Sequence, residues 1–181
     1  MSDHDASSAV DEYLIVQSQL GDAHAFSRLV ERWHPRLLRN AYYFTGSREA
    51  ARDVVQESWM GVMRGLKSLR DPAGFRAWVL RIVANKSRDW IRREQARRVA
   101  MTRAPALVAH DAAQPVSGAV GRVREGLDEL TPEHRLVLTW FYLEEMSVRE
   151  IAEALSIPVG TVKSRLFHAR NALRARLEEA R

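Results

Sequence analysis

Residues 147–166, SVREIAEALSIPVGTVKSRL, have the spacing of two short helices joined at a tight corner. Apolar residues recur along one face of each helix, with one more in the turn between them: Ile151, Ala152 and Leu155, then Ile157, then Val162 and Leu166. We expect Ala152 to be small because the second helix crosses close above it. The stretch therefore predicts a helix-turn-helix near the carboxyl end of the chain.

The second helix of this pair offers hydrogen-bond donors and no carboxylate over its first ten or so residues. The donors are Thr161, Lys163, Ser164, Arg165, His168 and Arg170. Such side chains suit the acceptors of a major groove and its phosphates. The alternative is a helical hairpin whose charges simply face water, but the corner spacing and the absence of acids favour a DNA-binding helix. Ser156 stands where such corners often carry glycine, so a left-handed residue there costs about 1 kcal/mol.

Composition predicts a globular protein with a polyanionic partner. The 181 residues suffice for one medium domain or two small ones, and 46% are hydrophobic. Lys and Arg number 28 against 23 acids, a net charge of +5. Positive charge is concentrated in the middle, because residues 64–103 hold twelve Lys or Arg against three acids.

The absence of cysteine excludes a disulfide framework, a thiolate zinc site and a cysteine redox switch. No apolar run approaches the roughly 20 residues that span a bilayer. The polar residues 1–5 do not resemble a signal peptide. We therefore expect a cytoplasmic protein with no membrane insertion.

Helical periodicity dominates residues 10–97, and sustained strand-type alternation is absent, so the predicted fold class is all-α. We expect helices over residues 11–19, from Asp22 onward with a bend at Pro35, and over 48–65 after the N-cap Ser47. The apolar face predicted for the second is Phe26, Leu29, Val30, Trp33 and Leu37; that predicted for the third is Ala51, Val54, Val55, Ser58, Trp59, Val62 and Met63.

A loop is predicted over residues 67–74, followed by a long helix over 75–97. The apolar side of that helix carries Phe75, Trp78, Val79, Ile82, Val83, Lys86, Trp90 and Ile91, and its other faces are largely basic. Residues 98–121 lack a clean period and contain Pro and Gly, which indicates a flexible linker. The predicted division is thus a small helical domain over 10–97, a linker over 98–121 and a second over 122–181. In the second, Thr131 and Pro132 are the N-cap and first residue of a helix that ends near Tyr142.

Five segments carry a family resemblance: residues 53–57 (DVVQE), 75–85 (FRAWVLRIVAN), 127–135 (LDELTPEHR), 150–152 (EIA) and 160–165 (GTVKSR). In this order they resemble bacterial RNA polymerase sigma factors of the extracytoplasmic-function (ECF) group of the sigma-70 family. The resemblance covers nearly the whole chain. It implies a sigma region 2 helical bundle and a sigma region 4 helix-turn-helix, in a subunit that directs promoter-specific initiation of transcription.

In the family, the helix with the Asp-x-x-Gln-Glu pattern docks on the clamp coiled coil of the polymerase core. The matching residues here are Asp53, Gln56 and Glu57, which fall on one helical face. Their carboxylates and amide would meet Arg and Gln side chains of the partner. The competing interpretation is an ordinary solvated helix face.

The resemblance also implies that the basic helix 75–97 captures and melts the minus-10 promoter element. The predicted residues are Lys67, Arg81, Asn85, Lys86, Arg88, Trp90, Arg92 and Arg93. A basic track beside pockets for unstacked bases suits single-stranded DNA, and the loop over 67–74 matches the family element that holds a flipped base. Spacing favours a core position for Trp78, whereas both core packing and base stacking stay open for Trp90.

For the minus-35 element, the positions that match the family are Arg149, Pro158, Thr161, Lys163, Ser164, Phe167 and His168. Thr161 is expected to cap the recognition helix and to donate to phosphate. His168 departs from the family, which usually has Arg there. An imidazole lacks the bidentate contact of Arg with guanine, so we expect either a weaker contact or an altered base preference.

The predicted partners are the polymerase core, through its clamp coiled coil and flap, and promoter DNA. Many relatives are also held inactive by an anti-sigma factor. A free-standing helix-turn-helix regulator would explain residues 147–176 but not 53–57 or 75–85. The six histidines show no paired metal-ligand spacing, so we expect no catalytic residues, metal, cofactor or small-molecule substrate.

Overall fold

The computed structural model describes residues 3–100, 126–127 and 129–179. Over these residues the chain forms seven α-helices and no strand, which confirms the all-α prediction. The helices are α1 (Asp3–Gln19), α2 (Ala23–Thr45), α3 (Arg48–Gly65), α4 (Phe75–Ala100), α5 (Pro132–Tyr142), α6 (Val148–Leu155) and α7 (Val159–Glu179).

Several boundaries differ from the prediction. Helix α1 begins at Asp3 rather than near residue 11, in a polar stretch where apolar periodicity gives no signal but acidic residues favour a helix N-terminus. Helix α4 continues to Ala100, so the first residues of the predicted linker are helical. Most of the linker, and the start of the predicted segment 122–181, lie outside the described residues.

Side-chain caps fix the ends of α2 and α3. Asp22 Oδ1 accepts hydrogen bonds from the backbone N–H groups of His24 at 2.8 Å and Ala25 at 3.1 Å. Helix α2 continues through Pro35 and ends at Gly46, whose φ of 67° is the left-handed conformation that glycine adopts without strain. Ser47 then caps α3. These caps confirm the predicted starts of both helices.

The predicted loop over 67–74 contains two 3-10 turns, Leu66–Ser68 and Pro72–Gly74. Gln19, at the end of α1, holds the first of them: its amide nitrogen donates to the backbone carbonyls of Leu66 at 2.9 Å and Leu69 at 2.8 Å. The carbonyl of Leu66 also accepts from the backbone N–H of Leu69 at 3.1 Å, whereas the carbonyl of Leu69 gains its partner from Gln19. The side chain of Gln19 thus ties the end of α1 to this turn.

Helices α1 to α4 enclose a core that includes Leu14, Ile15, Leu29, Trp33, Leu37, Val54, Val55, Val62, Phe75, Val79 and Val83. Burial of each such side chain contributes roughly 1.5–3 kcal/mol. The rings of Trp33 and Phe75 meet edge to face at 5.2 Å. The predicted burial of Met63 was wrong: this side chain is 64% exposed, because it lies beside the buried stripe that runs through Val62 to Leu66.

Helix α4 is buried on more than the predicted side. It packs against α2, α3 and α6, so Leu80, Ala84 and Ser87 are fully buried although they fall outside the predicted stripe. Trp78 is half-buried and its ring lies 5.9 Å from that of Phe75. The expected core position of Trp78 is therefore confirmed.

Helices α5 to α7 pack around Trp140, which is fully buried. Thr131 caps α5, since its hydroxyl oxygen accepts from the N–H of His134 at 3.3 Å, and Pro132 is the first residue of the helix as predicted. Helix α5 packs on α2, and α6 packs on α4. The helices before and after the predicted linker therefore form one packed body with a continuous core.

Candidate nucleic-acid interface

The corner between α6 and α7 has the predicted helix-turn-helix packing. Ser147 and Glu150 form a reciprocal capping box at the start of α6: the backbone N–H of Ser147 donates to Glu150 Oε2 at 2.7 Å, and that of Glu150 donates to Ser147 Oγ at 3.2 Å. Of the predicted apolar positions, the turn residue Ile157 is half-buried. The helical positions are all buried: Ile151, Ala152, Leu155, Val162 and Leu166. Ser156 adopts φ 55°, the left-handed conformation expected at the corner.

The structure brings most of the predicted minus-35 residues to the outside of this corner. Arg149, Pro158, Lys163, Ser164, Phe167 and His168 are exposed. Thr161 is half-buried and lies in the first turn of α7, which begins at Val159. The predicted capping role of Thr161 was therefore wrong, because the helix starts before it and its own N–H already bonds to the carbonyl of Pro158 at 2.9 Å.

His168 has an unanticipated neighbour. Its ring stacks on that of His134 in α5, with the centroids 6.4 Å apart and the planes 27° from parallel. Phe167, beside it, is 61% exposed and presents an apolar ring to solvent. No spacing rule within one helix predicts the histidine pair, since its members belong to different helices.

The predicted minus-10 residues form a track along α4. Arg81, Asn85, Arg92 and Arg93 are exposed, whereas Lys86, Arg88 and Trp90 are half-buried; Lys67 is exposed on the first 3-10 turn. Trp90 packs against the core cluster and also borders a surface groove. Its position is thus compatible with both interpretations of the sequence.

The predicted docking residues lie directly beside this track. Asp53 and Gln56 are exposed, while Glu57 is half-buried and paired with Lys86 and Arg93 of α4, each at 3.3 Å. Burial disfavours ionisation of Glu57, but hydrogen bonds from Arg93 and Lys86 outweigh it and lower the pKa of this carboxyl. One of the two predicted docking carboxylates is thus already engaged by the basic helix.

A groove of about 490 Å³ joins the two predicted surfaces. Its lining residues are Asp53, Gln56, Glu57, Met60, Trp90, Arg93, Glu94 and Arg97. Met60 is 50% exposed, and with Met63 it gives α3 an exposed apolar edge that the sequence analysis missed. The signal was present, because Met60 follows Gln56 by one helical turn.

The track on α4 also approaches the recognition helix. Burial lowers the pKa of Arg88, the nearby charge of Arg165 in α7 lowers it further, and Glu133 in α5 opposes the shift. Arg88, one of the predicted minus-10 residues, therefore lies near a cation of the predicted recognition helix.

Both regions match known families. The profile described as Sigma-70 region 2 matches residues 29–97, and that described as Sigma-70, region 4 matches residues 121–173. The chain is 30% identical over 179 residues to the ECF RNA polymerase sigma factor SigW of Bacillus subtilis (strain 168), an alignment that covers 91% of this chain and 95% of that protein. The chain belongs to the ECF RNA polymerase sigma factors.

Other relatives agree. The ECF RNA polymerase sigma-E factor of Salmonella typhimurium (strain 14028s / SGSC 2262) is 30% identical over 176 residues, covering 90% of this sigma factor and 92% of the relative. CnrH, solved in complex with the cytosolic domain of CnrY, has a TM-score of 0.67 and 30% identity, covering 94% of this chain and 98% of its own.

RpoE of Bartonella quintana, solved with the anti-sigma factor NepR, has a TM-score of 0.70, 24% identity and coverage of 86% and 98%; it shows the same fold. Among the described residues of this sigma factor, no helix combines the length and hydropathy needed to cross a membrane. Nor does the described part of the chain bring together three or more His, Cys, Asp or Glu side chains that could hold a metal ion.

Proposed function

We propose that this ECF sigma factor is a dissociable specificity subunit that gives the bacterial RNA polymerase core its choice of promoter and performs no catalysis itself. The observation that carries the proposal is the separation of charge between two sites. An acidic patch at Asp53, Gln56 and Glu57 borders the basic helix α4, whereas the exposed start of α7 carries donors and no acid. The first site suits a protein partner together with DNA, and the second suits duplex DNA alone.

Docking on the core would use the acidic patch. Asp53 and Gln56 are exposed, and the neighbouring Met60 adds an apolar contact. Carboxylates on a helix form paired, charge-assisted hydrogen bonds with arginines of a facing helix. An acidic patch also repels DNA, which favours the clamp coiled coil of the core as its partner.

Recognition of the minus-10 element would use α4 and the turn that carries Lys67. The exposed guanidinium groups of Arg81, Arg92 and Arg93 would follow a single-stranded backbone. Asn85 Oδ1 accepts a hydrogen bond from Arg88 at 2.9 Å, which leaves the amide NH₂ of Asn85 to donate to a base edge. Trp90 and Lys86 complete the proposed surface.

Recognition of the minus-35 element would use the outer face of the helix-turn-helix. Lys163 and Ser164 would contact base edges or phosphates, and Arg149, Pro158 and Thr161 would lie near the backbone. The exposed ring of Phe167 suits the methyl group of a thymine. His168 would replace the Arg contact of other family members with a single hydrogen bond.

The proposed division of labour assigns residues 10–97 to core docking and the minus-10 element, 98–121 to a linker, and 122–181 to the minus-35 element. The proposed setting is the cytoplasm, and an anti-sigma factor is a further proposed partner, because the related RpoE was solved with NepR.

Co-purification with bacterial RNA polymerase core tests the proposal. The test variant combines Asp53→Ala, Gln56→Ala and Glu57→Ala. A matched control also removes two carboxylates and one amide, but at exposed positions elsewhere. It combines Glu31→Ala, Asn171→Ala and Glu178→Ala. We expect the wild type and the control to co-purify with core, and the test variant to lose binding with unchanged helix content. Failure of the wild type to bind core would overturn the proposal and favour a free-standing regulator.

A further inference from the structure

Glu144 lies in the turn between α5 and α6, yet its side chain is fully buried. All three groups that bind its carboxylate come from α2: Arg36 Nε, an Nη of Arg39 at 3.2 Å and the amide nitrogen of Asn40 at 3.0 Å. These partners precede Glu144 by more than 100 residues in sequence. The carboxylate thus joins the helices before the predicted linker to those after it.

Three further hydrogen bonds extend this junction. Asn40 Oδ1 accepts a hydrogen bond from the indole N–H of the buried Trp140 at 2.8 Å. From α4, Arg76 donates to the backbone carbonyl of Glu144 at 3.0 Å and to the Glu150 carboxylate at 2.9 Å. Side chains of α2 and α4 therefore converge on one turn of the C-terminal helices.

The turn itself is held in a demanding conformation. Glu145, directly after the buried carboxylate, has φ 50°, a left-handed value that a non-glycine residue adopts only when its surroundings hold it there. The contacts of Glu144 and Arg76 supply such surroundings, so the turn and the junction are expected to form and separate together.

The packed arrangement of the helices before and after the predicted linker, here called the closed form, brings together surfaces proposed for different promoter elements. Arg165 of α7 lies close enough to Arg88 of α4 for its like charge to lower the pKa of Arg88, in addition to the effect of burial, and α6 packs against α4. The minus-10 and minus-35 elements lie about 25 base pairs apart, or about 85 Å at 3.4 Å per base pair. A compact chain of 181 residues has a radius of gyration of about 16 Å. The closed form therefore cannot occupy both elements of one promoter at once.

We propose that Glu144 is a latch that holds this sigma factor closed through Arg36, Arg39 and Asn40, and that the latch opens when both promoter elements are engaged. A buried ion pair suits this task because its desolvation offsets most of its attraction. Arg36 and Arg39 are already partly exposed, so opening mainly returns the Glu144 carboxylate to water. The latch therefore fixes one arrangement and adds little net stability. The consequence for promoter binding rests on the proposed function, whereas the latch itself does not.

Distance measurement in the free protein tests the latch. The sequence contains no cysteine, so Ser27→Cys in α2 and Asn171→Cys in α7, both exposed, accept a donor and acceptor dye for single-molecule energy transfer. The main variant is Glu144→Lys, which would place an ammonium among guanidinium groups. Glu178→Lys makes the same charge change at an exposed site of α7 and is the matched control.

We expect one short-distance population for the wild type and for Glu178→Lys. Glu144→Lys should reduce the ratio of closed to open molecules by more than about tenfold, because an unpaired buried charge is strongly disfavoured. Circular dichroism checks that helix content is kept. If Glu144→Lys fails to fold, the double variant Arg36→Glu and Arg39→Glu makes the same reversal on partly exposed residues. The latch would be overturned if a folded charge-reversal variant kept the dye-to-dye distance of the wild type. It would also be overturned if the wild type alone showed the long distance.

Addition of polymerase core separates the latch from the proposed function. We expect core and a promoter duplex together to move the wild type to the long distance. A folded protein that is closed alone, opens on Glu144→Lys and never binds core would keep the latch and refute the proposed function.

Discussion

Helices α4 and α7 are both basic, but they present their charge differently. Acids accompany the cations of α4: Glu57 pairs with Lys86 and Arg93, and Asp89 pairs with Arg92. Among the described residues, no ion pair involves Lys163 or Arg165 at the front of α7, and Ser164 between them is an exposed donor. On the proposed function, these two basic helices would therefore bind DNA in different ways. Lys86, Arg92 and Arg93 would have to exchange partners to bind DNA, whereas Lys163 and Arg165 would not.

The largest expected effect, on both folding and promoter binding, comes from disrupting the buried packing of α7 at Val162. Val162 is fully buried at the corner, and Val162→Asp would bury an unpaired carboxylate at a cost on the order of 3–5 kcal/mol. We expect loss of helix content and of promoter binding. Lys163→Asp, at the adjacent exposed position, is the control and should keep its helix content in circular dichroism. Equal helix loss in both variants would contradict the assigned burial.

A second test compares single cations on the two helices. In the complex with core, Lys163→Ala should lower the slope of log affinity against log salt by about 0.9, because an unpaired cation releases one counterion equivalent from duplex DNA. Arg92→Ala should lower it clearly less, since Arg92 must first leave Asp89. Fluorescence anisotropy of a labelled promoter duplex over a salt series measures both slopes. Equal slopes would remove the proposed distinction between the helices.

A smaller effect is expected at the corner before α7. Ser156 is left-handed at φ 55°, so Ser156→Gly removes strain but adds freedom to the unfolded chain, for a net gain of about 0.5 kcal/mol. Ser164→Gly, at an exposed position inside α7, should instead lower stability by about 0.5–1 kcal/mol. Thermal unfolding distinguishes the two signs, and destabilisation by Ser156→Gly would contradict the strain.

The smallest effect concerns the pH dependence of α4. The pKa of Glu57 is lowered in the folded protein, so its stabilising contribution is present above its unfolded pKa and is lost as pH falls through its folded pKa. Because Glu57 is partly exposed, we expect less than about 1 kcal/mol. The melting temperatures of the wild type and Glu57→Gln should therefore differ at neutral pH and converge in acid. A constant difference at all pH values would contradict the ion pairs.

Local signals explain what the sequence predicted well. The caps Asp22, Ser47 and Thr131 act within three residues of themselves, so a short pattern reveals them. The burial of Glu144 was not predictable, because its partners lie more than 100 residues away in sequence. The residues next to a glutamate in a turn give no pattern that indicates burial. The pairing of Glu57 with α4 and the stacking of His134 on His168 were missed for the same reason.

The most direct test of the two-site account compares promoter binding with and without core. The duplex should come from a transcription start whose transcript rises when this sigma factor is overproduced. We expect the complex with core to bind this duplex far more tightly than the free chain does at the same salt concentration, because docking holds α4 and α7 apart on their separate elements. Equal affinity of the free chain and the complex would contradict the account.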